Sequence, residues 1–190
     1  MDVGVTAEAK DKRLNRLVAL TVVTLSIVMG LGQVKDGNIV QAMQQAQSDA
    51  VDRWGEYQAT KTKLHIDEVA LAETGFLEGV GGAKVAAATA AERTRLTGEM
   101  AKYKHEIPQL RKEAQGYKVE YDALNVHDDQ FDASDALLSI AISIAAVAAL
   151  AESAWALYAA WTFAAGGLVM TAAGFLGWAL HSDLLSRLLS

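Results

Sequence analysis

The sequence predicts an all-α membrane protein: three transmembrane helices, with a long coiled-coil-like helical hairpin inserted between the first and the second. Three observations lead there. Apolar and charged residues are both abundant, at 52% and 21% of 190 residues, and they are segregated along the chain. Two long tracts are almost free of charge. Between them, apolar residues recur at alternating spacings of three and four.

The N-terminal tail, residues 1–16, holds four Lys/Arg against three acids. From Leu17 to Val34 the chain reads LVALTVVTLSIVMGLGQV, with no charge, which is long enough to cross hydrocarbon as a helix. This stretch, 17–34, is the first expected crossing. Its basic flank of Lys10, Lys12, Arg13 and Arg16, with Gly30-Leu31-Gly32 as a small-residue cleavage site, also fits a signal peptide. We read it as a retained anchor.

Residues 35–135 form the expected extramembrane hairpin. In the first arm the row Val40, Met43, Gln47, Ala50, Trp54, Tyr57, Lys61, Leu64, Glu68 and Leu71 is a heptad seam with polar interruptions. In the second, Leu96, Met100, Tyr103, Ile107, Leu110, Ala114, Tyr117, Tyr121 and Leu124 keep the spacing without a polar intruder. Glycines in Gly75 to Ala83 (GFLEGVGGA) mark the tip, near 75–83. Helices over 38–74 and 84–124 at 1.5 Å per residue would span about 55–60 Å. Pro108, the only proline, predicts a kink in a continuous second arm. Asp49 with Arg53, and Tyr57 with Lys61, stand at pairing distance on a helix.

Between Asp135 and Asp183 the only carboxylate is Glu152, and so long a tract accommodates two crossings. Glu152 divides it into 136–151 and 153–180. Trp155, Tyr158 and Trp161 fit one membrane interface, and Trp178 with His181 the other. Ala141, Ala145 and Ala149, Ser139 with Ser143, and Ala173 with Gly177 are small residues at four-residue spacing, which lets helices approach closely in lipid. Residues 181–190 make a short amphipathic tail.

Motifs that carry chemistry are sparse. The acidic middle segment has no basic patch, which argues against nucleic acid, and the absence of cysteine excludes disulfides and thiolate metal sites. His127, Asp128 and Asp132 have a spacing that could hold a divalent metal. Capping of the second membrane helix by Asp132 and Asp135 explains the same residues without one, so no metal and no cofactor are assigned. There is no phosphate loop, nucleophile elbow or HExxH, and no enzymatic activity is expected.

The segments RLNRLVALTVVTLSIV, DGNIVQAMQQAQSDAVDRWGEYQATKTK and HDDQFDASDALLSIAI resemble a bacterial membrane family, domain of unknown function 4337. The resemblance implies a bacterial inner-membrane protein with no assigned activity. The lysines and arginines before the first crossing predict a cytoplasmic N-terminus and a periplasmic hairpin. The expected function is that of a self-assembling structural or scaffolding protein in membrane lipid. Its packing or oligomer contacts would include Trp54, Tyr57, Tyr103, Ile107, Leu110, Tyr117, Tyr121, Ala141, Ala145 and Ala149, with all but Trp54 and Tyr57 expected between copies. The alternative is a transport or channel component, or an accessory subunit of a larger membrane complex.

Overall fold

The computed structural model describes the backbone of residues 2–178 and side chains from residue 12 onward. The expected tail 181–190, the end of the third apolar stretch at Leu180, and His181 lie outside the described residues. Among the described residues the fold is all-helical, with two helices and no strand: α1 (Asp2–Leu150) and α2 (Ala154–Leu176). Both contain apolar stretches long enough to cross a membrane by length and composition.

α1 contains one residue with non-helical backbone, Gly82, at φ 67° and ψ −157°. That region is open almost only to glycine. Gly81 is required for a different reason, because a Cβ there would lie 2.1 Å from the Val85 side chain. The sequence places the tip across four glycines. In the structure Gly75, Gly79 and Gly81 are helical, and the reversal is confined to Gly82. Pro108 also lies within helix, where its ring removes one backbone donor without ending the element.

Two expectations about helix ends are corrected. No helix ends near residue 38, and none begins near Asp128 to Asp135, because α1 runs through both regions. Gly37 alone costs about 1 kcal/mol in a helix and does not break it. Asp132 and Asp135 therefore sit in mid-helix and cap nothing. At the other end the chain does turn beside Glu152. Ala151 N–H reaches Val147 O at 2.9 Å and Ser153 N–H reaches Ala148 O at 3.0 Å. Glu152 takes the left-handed conformation, φ 46°, which closes the helix in the way glycine commonly does.

The chain divides into two compact units, one comprising Met1–Met43 with Asp122–Ser190, the other Gln44–Tyr121. In the first, both ends of α1 pack with α2. Its interior is small: Ala141, Ala145, Ala148, Ala160 and Ala164 fill the space between Val18, Leu25, Leu138 and Leu157. Gly167 and Gly174 press against Leu138 and Phe131, and a Cβ on either would come within 2.7 Å of those side chains. Larger apolar residues face outward. Leu20, Val23, Ile27, Leu31, Val147 and Trp155 are each more than half exposed. Inside, Ser134 Oγ hydrogen-bonds Gly167 O and meets Thr171 Oγ1, while at the surface Trp161 Nε1 donates to Thr21 Oγ1 at 3.0 Å. Ala141 and Ala145 are fully buried within the chain, so they are not contacts between copies. Ala149 packs at the edge of the same core.

The second unit is an antiparallel helical hairpin. Glu78 pairs with Arg93 at 2.8 Å and Arg53 with Glu113 at 3.2 Å, both across the two arms. The arms, 44–81 and 83–121, are each about 57 Å long at 1.5 Å per residue.

Gly82→Ala is expected to destabilise the protein by about 1–3 kcal/mol, because an L side chain is forced into a disfavoured backbone region. Gly79→Ala has helical backbone and nothing within 4 Å of the new Cβ, and should gain about 0.5–1 kcal/mol. Thermal unfolding followed by circular dichroism compares them. Equal effects would mean that the turn is elsewhere.

Candidate functional site

The hairpin's first arm has an inward row that its composition conceals. Buried and half-buried positions include Ala46, Ala50, Arg53, Tyr57, Thr60, Leu64, Asp67, Leu71, Thr74 and Glu78, an unbroken alternation of four and three. The expected row shared Ala50, Tyr57, Leu64 and Leu71 but took Trp54, Lys61 and Glu68 where the structure has Arg53, Thr60 and Asp67. The two choices differ by one residue at alternate positions, about 100° around the helix, and apolarity favoured the tryptophan. Tertiary contacts favour Arg53, which reaches Glu113 on the other arm and Glu56 at 2.6 Å on its own. The expected Asp49–Arg53 pair does not form; Asp49 accepts from Gln45 at 3.0 Å.

Trp54 sits half-buried beside the row, edge-on to Tyr57 with ring centres 5.3 Å apart. Lys61 lies 5.5 Å from the centre of the Tyr57 ring. Trp54 also lines a groove of about 300 Å³ with Gln47, Val51, Tyr117 and Tyr121. On the second arm Leu96 and Ala114 are buried, and Met100, Tyr103, Ile107, Leu110, Tyr117 and Tyr121 are half-buried. This apolar row faces a polar one. Asp67 is 9% exposed and its Oδ2 is buried without a hydrogen-bond partner, which is costly.

Outside the inward row, the same arm carries Val51 and Ala59 at the edges of grooves between the arms, and Gly55, Thr62, Ile66 and Val69, all exposed. They repeat by three and four and include no charge. Val51 is 64% exposed and Ile66 59%.

In the other unit, four carboxylates gather between the two ends of α1. Asp36 comes from one side, Asp128, Asp132 and Asp135 from the other. Gln33 Nε2 donates to Asp135 Oδ2 at 2.9 Å. Burial pushes the Asp128 carboxyl up to about 6, helped by the charges of Asp36 and Asp132 and by a hydrogen bond to Asp36. Burial and the charge of Asp132 also raise Asp36, against that same hydrogen bond, which lowers it. Asp132 is raised by burial and then by Asp129 and Asp135. The pair Asp36–Asp128 thus holds a proton more readily than free aspartates do.

The metal reading is not supported. Among the described residues no three His, Cys, Asp or Glu side chains are grouped to hold an ion. His127 Nδ1 lies 3.2 Å from Gln130 Oε1, and Gln130 Nε2 donates to Trp178 O at 2.7 Å. Spacing alone could not show that Asp128 and Asp132 meet Asp36, 92 residues before Asp128 in the sequence. The only sequence signal was the helical hairpin, whose antiparallel return brings the two segments together.

The family described as Domain of unknown function (DUF4337) matches residues 14–177. No curated protein and no solved structure matches the chain.

A carboxyl raised in the folded state binds more protons than in the unfolded state, so its charge costs stability at neutral pH and that cost disappears as pH falls. The apparent melting temperature should therefore rise as pH is lowered from about 7 toward about 5, through the Asp128 value of about 6. Asp128→Asn should raise it at neutral pH and flatten this dependence. Parallel thermal melts across that range make the comparison, and an unchanged slope in the variant would assign the dependence to other groups.

Proposed function

The chain belongs to the family described as Domain of unknown function (DUF4337), and from that premise we propose that it is a membrane-embedded scaffold. It crosses the bilayer three times, associates with further copies of itself through its hairpin, and catalyses no reaction. One observation carries this reading: the close helix contacts of the first unit are made largely by alanine and glycine, while many of its larger apolar side chains are exposed. In the first unit, alanines fill the core while Leu20, Val23, Ile27 and Trp155 point outward. Lipid tails solvate leucine as well as another leucine does, so helices in a bilayer associate through small residues and turn their large ones to lipid. A water-soluble bundle of this composition would arrange them the other way.

In the hairpin, Thr60, Asp67 and Thr74 are buried while Val51, Ile66 and Val69 are exposed. Their uncharged face, with Gly55 and Ala59 allowing close approach, has the spacing that a further helix packs against. A second copy of this chain is the partner at hand, and closed symmetric assemblies are the usual outcome of such self-association. The half-buried Tyr103, Ile107, Leu110, Tyr117 and Tyr121 serve the contact between the arms in this arrangement. The basic residues Lys12, Arg13 and Arg16 before the first apolar stretch support a cytoplasmic N-terminus in a bacterial inner membrane, with the hairpin in the periplasm.

Multi-angle light scattering in detergent should give a protein mass that is a multiple of 20.2 kDa. Ile66→Glu combined with Val69→Glu should reduce it to a single chain, while Lys104→Asp, an exposed change off this face, should not. A wild-type mass of one chain at every concentration would end the scaffold reading. Orientation has its own test, a cysteine at Gly79 in otherwise cysteine-free protein. It should react with a membrane-impermeant thiol reagent in spheroplasts; labelling only after lysis would place the hairpin in the cytoplasm.

A further inference from the structure

The hairpin's tip has withdrawn its negative charge. Between Thr74 and Ala91 the chain carries two charged residues, Glu78 and Lys84. The Glu78 carboxylate is turned inward, where Arg93 holds one oxygen at 2.8 Å and Thr89 Oγ1 donates to the other at 2.7 Å. Phe76 is 73% exposed and Val80 76%, with Leu77 beside them. Around the turn at Gly82 the exposed surface is completed by glycines, alanines and Lys84. The outermost part of an acidic hairpin is therefore apolar with one outward cation.

We propose that this tip is a lipid-binding wedge, in which Phe76, Leu77 and Val80 enter the interface of a bilayer and Lys84 meets its anionic headgroups. Charge is the first argument for lipid over protein. An apolar surface with an adjacent lysine and a neutralised carboxylate is the composition that adsorbs to anionic membranes. Shape is the second. A turn flanked by glycine and alanine offers a projecting edge, with no long row into which another helix could interlock. The tip also lies at the opposite end of its unit from Gln44 and Tyr121, where the chain passes to the other unit. This inference goes beyond the scaffold reading and uses none of the face assigned to self-association.

The test uses the full chain in nanodiscs, mixed with vesicles of equal parts phosphatidylethanolamine and phosphatidylglycerol and sedimented. Protein-bearing discs should co-sediment and empty discs should not. Phe76→Ser combined with Val80→Ser should weaken binding at least about tenfold, since two apolar side chains no longer enter the interface. Far-ultraviolet circular dichroism and the protein mass in detergent should stay as in wild type, which separates this result from unfolding or loss of self-association. Lys84→Gln should weaken binding to these vesicles about fivefold and leave binding to phosphatidylcholine vesicles unchanged. Binding no greater than that of empty discs, or undiminished in the double variant, overturns the proposal. So does a lower protein mass of the double variant in detergent, where no bilayer is present, which would make the tip's partner a protein.

Discussion

A single backbone conformation organises most of this molecule. Between Asp2 and Leu150 only Gly82 leaves the helical region, and its φ and ψ are sterically closed to a residue with a side chain. The arms of the hairpin return on each other from that point, so Glu78 meets Arg93 near the turn and Arg53 meets Glu113 farther along. A helix-former at 82 would favour continuation over reversal. Elsewhere helix-breaking residues do not break the helix. Gly37, Gly55, Gly75, Gly98, Gly116 and Pro108 all lie inside α1, because packing along its length offsets local costs of one to a few kcal/mol each.

The second organising fact is what each unit chooses to bury. Between the helices of the first unit Ser134 is matched with Gly167 and Thr171, and Gln130 with Trp178, whereas Asp36 keeps a buried oxygen without a hydrogen-bond partner. The unit's close helix contacts come from alanine and glycine, whose small volume brings the helices together. In the hairpin the logic is different. A polar row of Arg53, Thr60, Asp67 and Thr74 faces an apolar row, a pairing that gains little hydrophobic stabilisation. Polar seam positions of this kind fix register at a cost in stability, and the interarm ion pairs act in the same direction.

Sequence reasoning reached features whose signal is local and missed those decided by a distant partner. The turn at Glu152 was legible because one carboxylate interrupts a long apolar tract. The inward row of the second arm was legible because nearly all its members are apolar. The first arm's row was misread at Trp54 because periodicity cannot distinguish two rows one residue apart when the larger side chain lies on the wrong one. What selects Arg53 is Glu113, sixty residues along the chain. The capping role expected for Asp132 and Asp135 failed for a related reason. Carboxylates ahead of an apolar run mark a helix start only if the chain before them is not already helical, and here it is. The small-residue spacing of Ala141 and Ala145 was a sound packing signal that did not specify the partner, which is the same chain: Leu25 and Val18 on one side, Ala160 and Ala164 on the other.

The carboxylate cluster shows how such long helices tolerate local conflict. Asp36, Asp128, Asp132 and Asp135 repel one another, and the raised values of the first three express that cost. In a short element, this conflict would fray the helix end. Here the carboxylates lie in mid-helix, with favourable contacts nearby in the sequence on either side. Gln33 satisfies Asp135, Gln130 ties the same stretch to Trp178 beyond α2, and Phe131 packs edge-on against Phe175 with ring centres 5.4 Å apart. Separating the carboxylates would require giving up those contacts. The helix therefore stays intact and carries the repulsion as a cost at neutral pH, which protonation relieves as pH falls toward the Asp128 value of about 6.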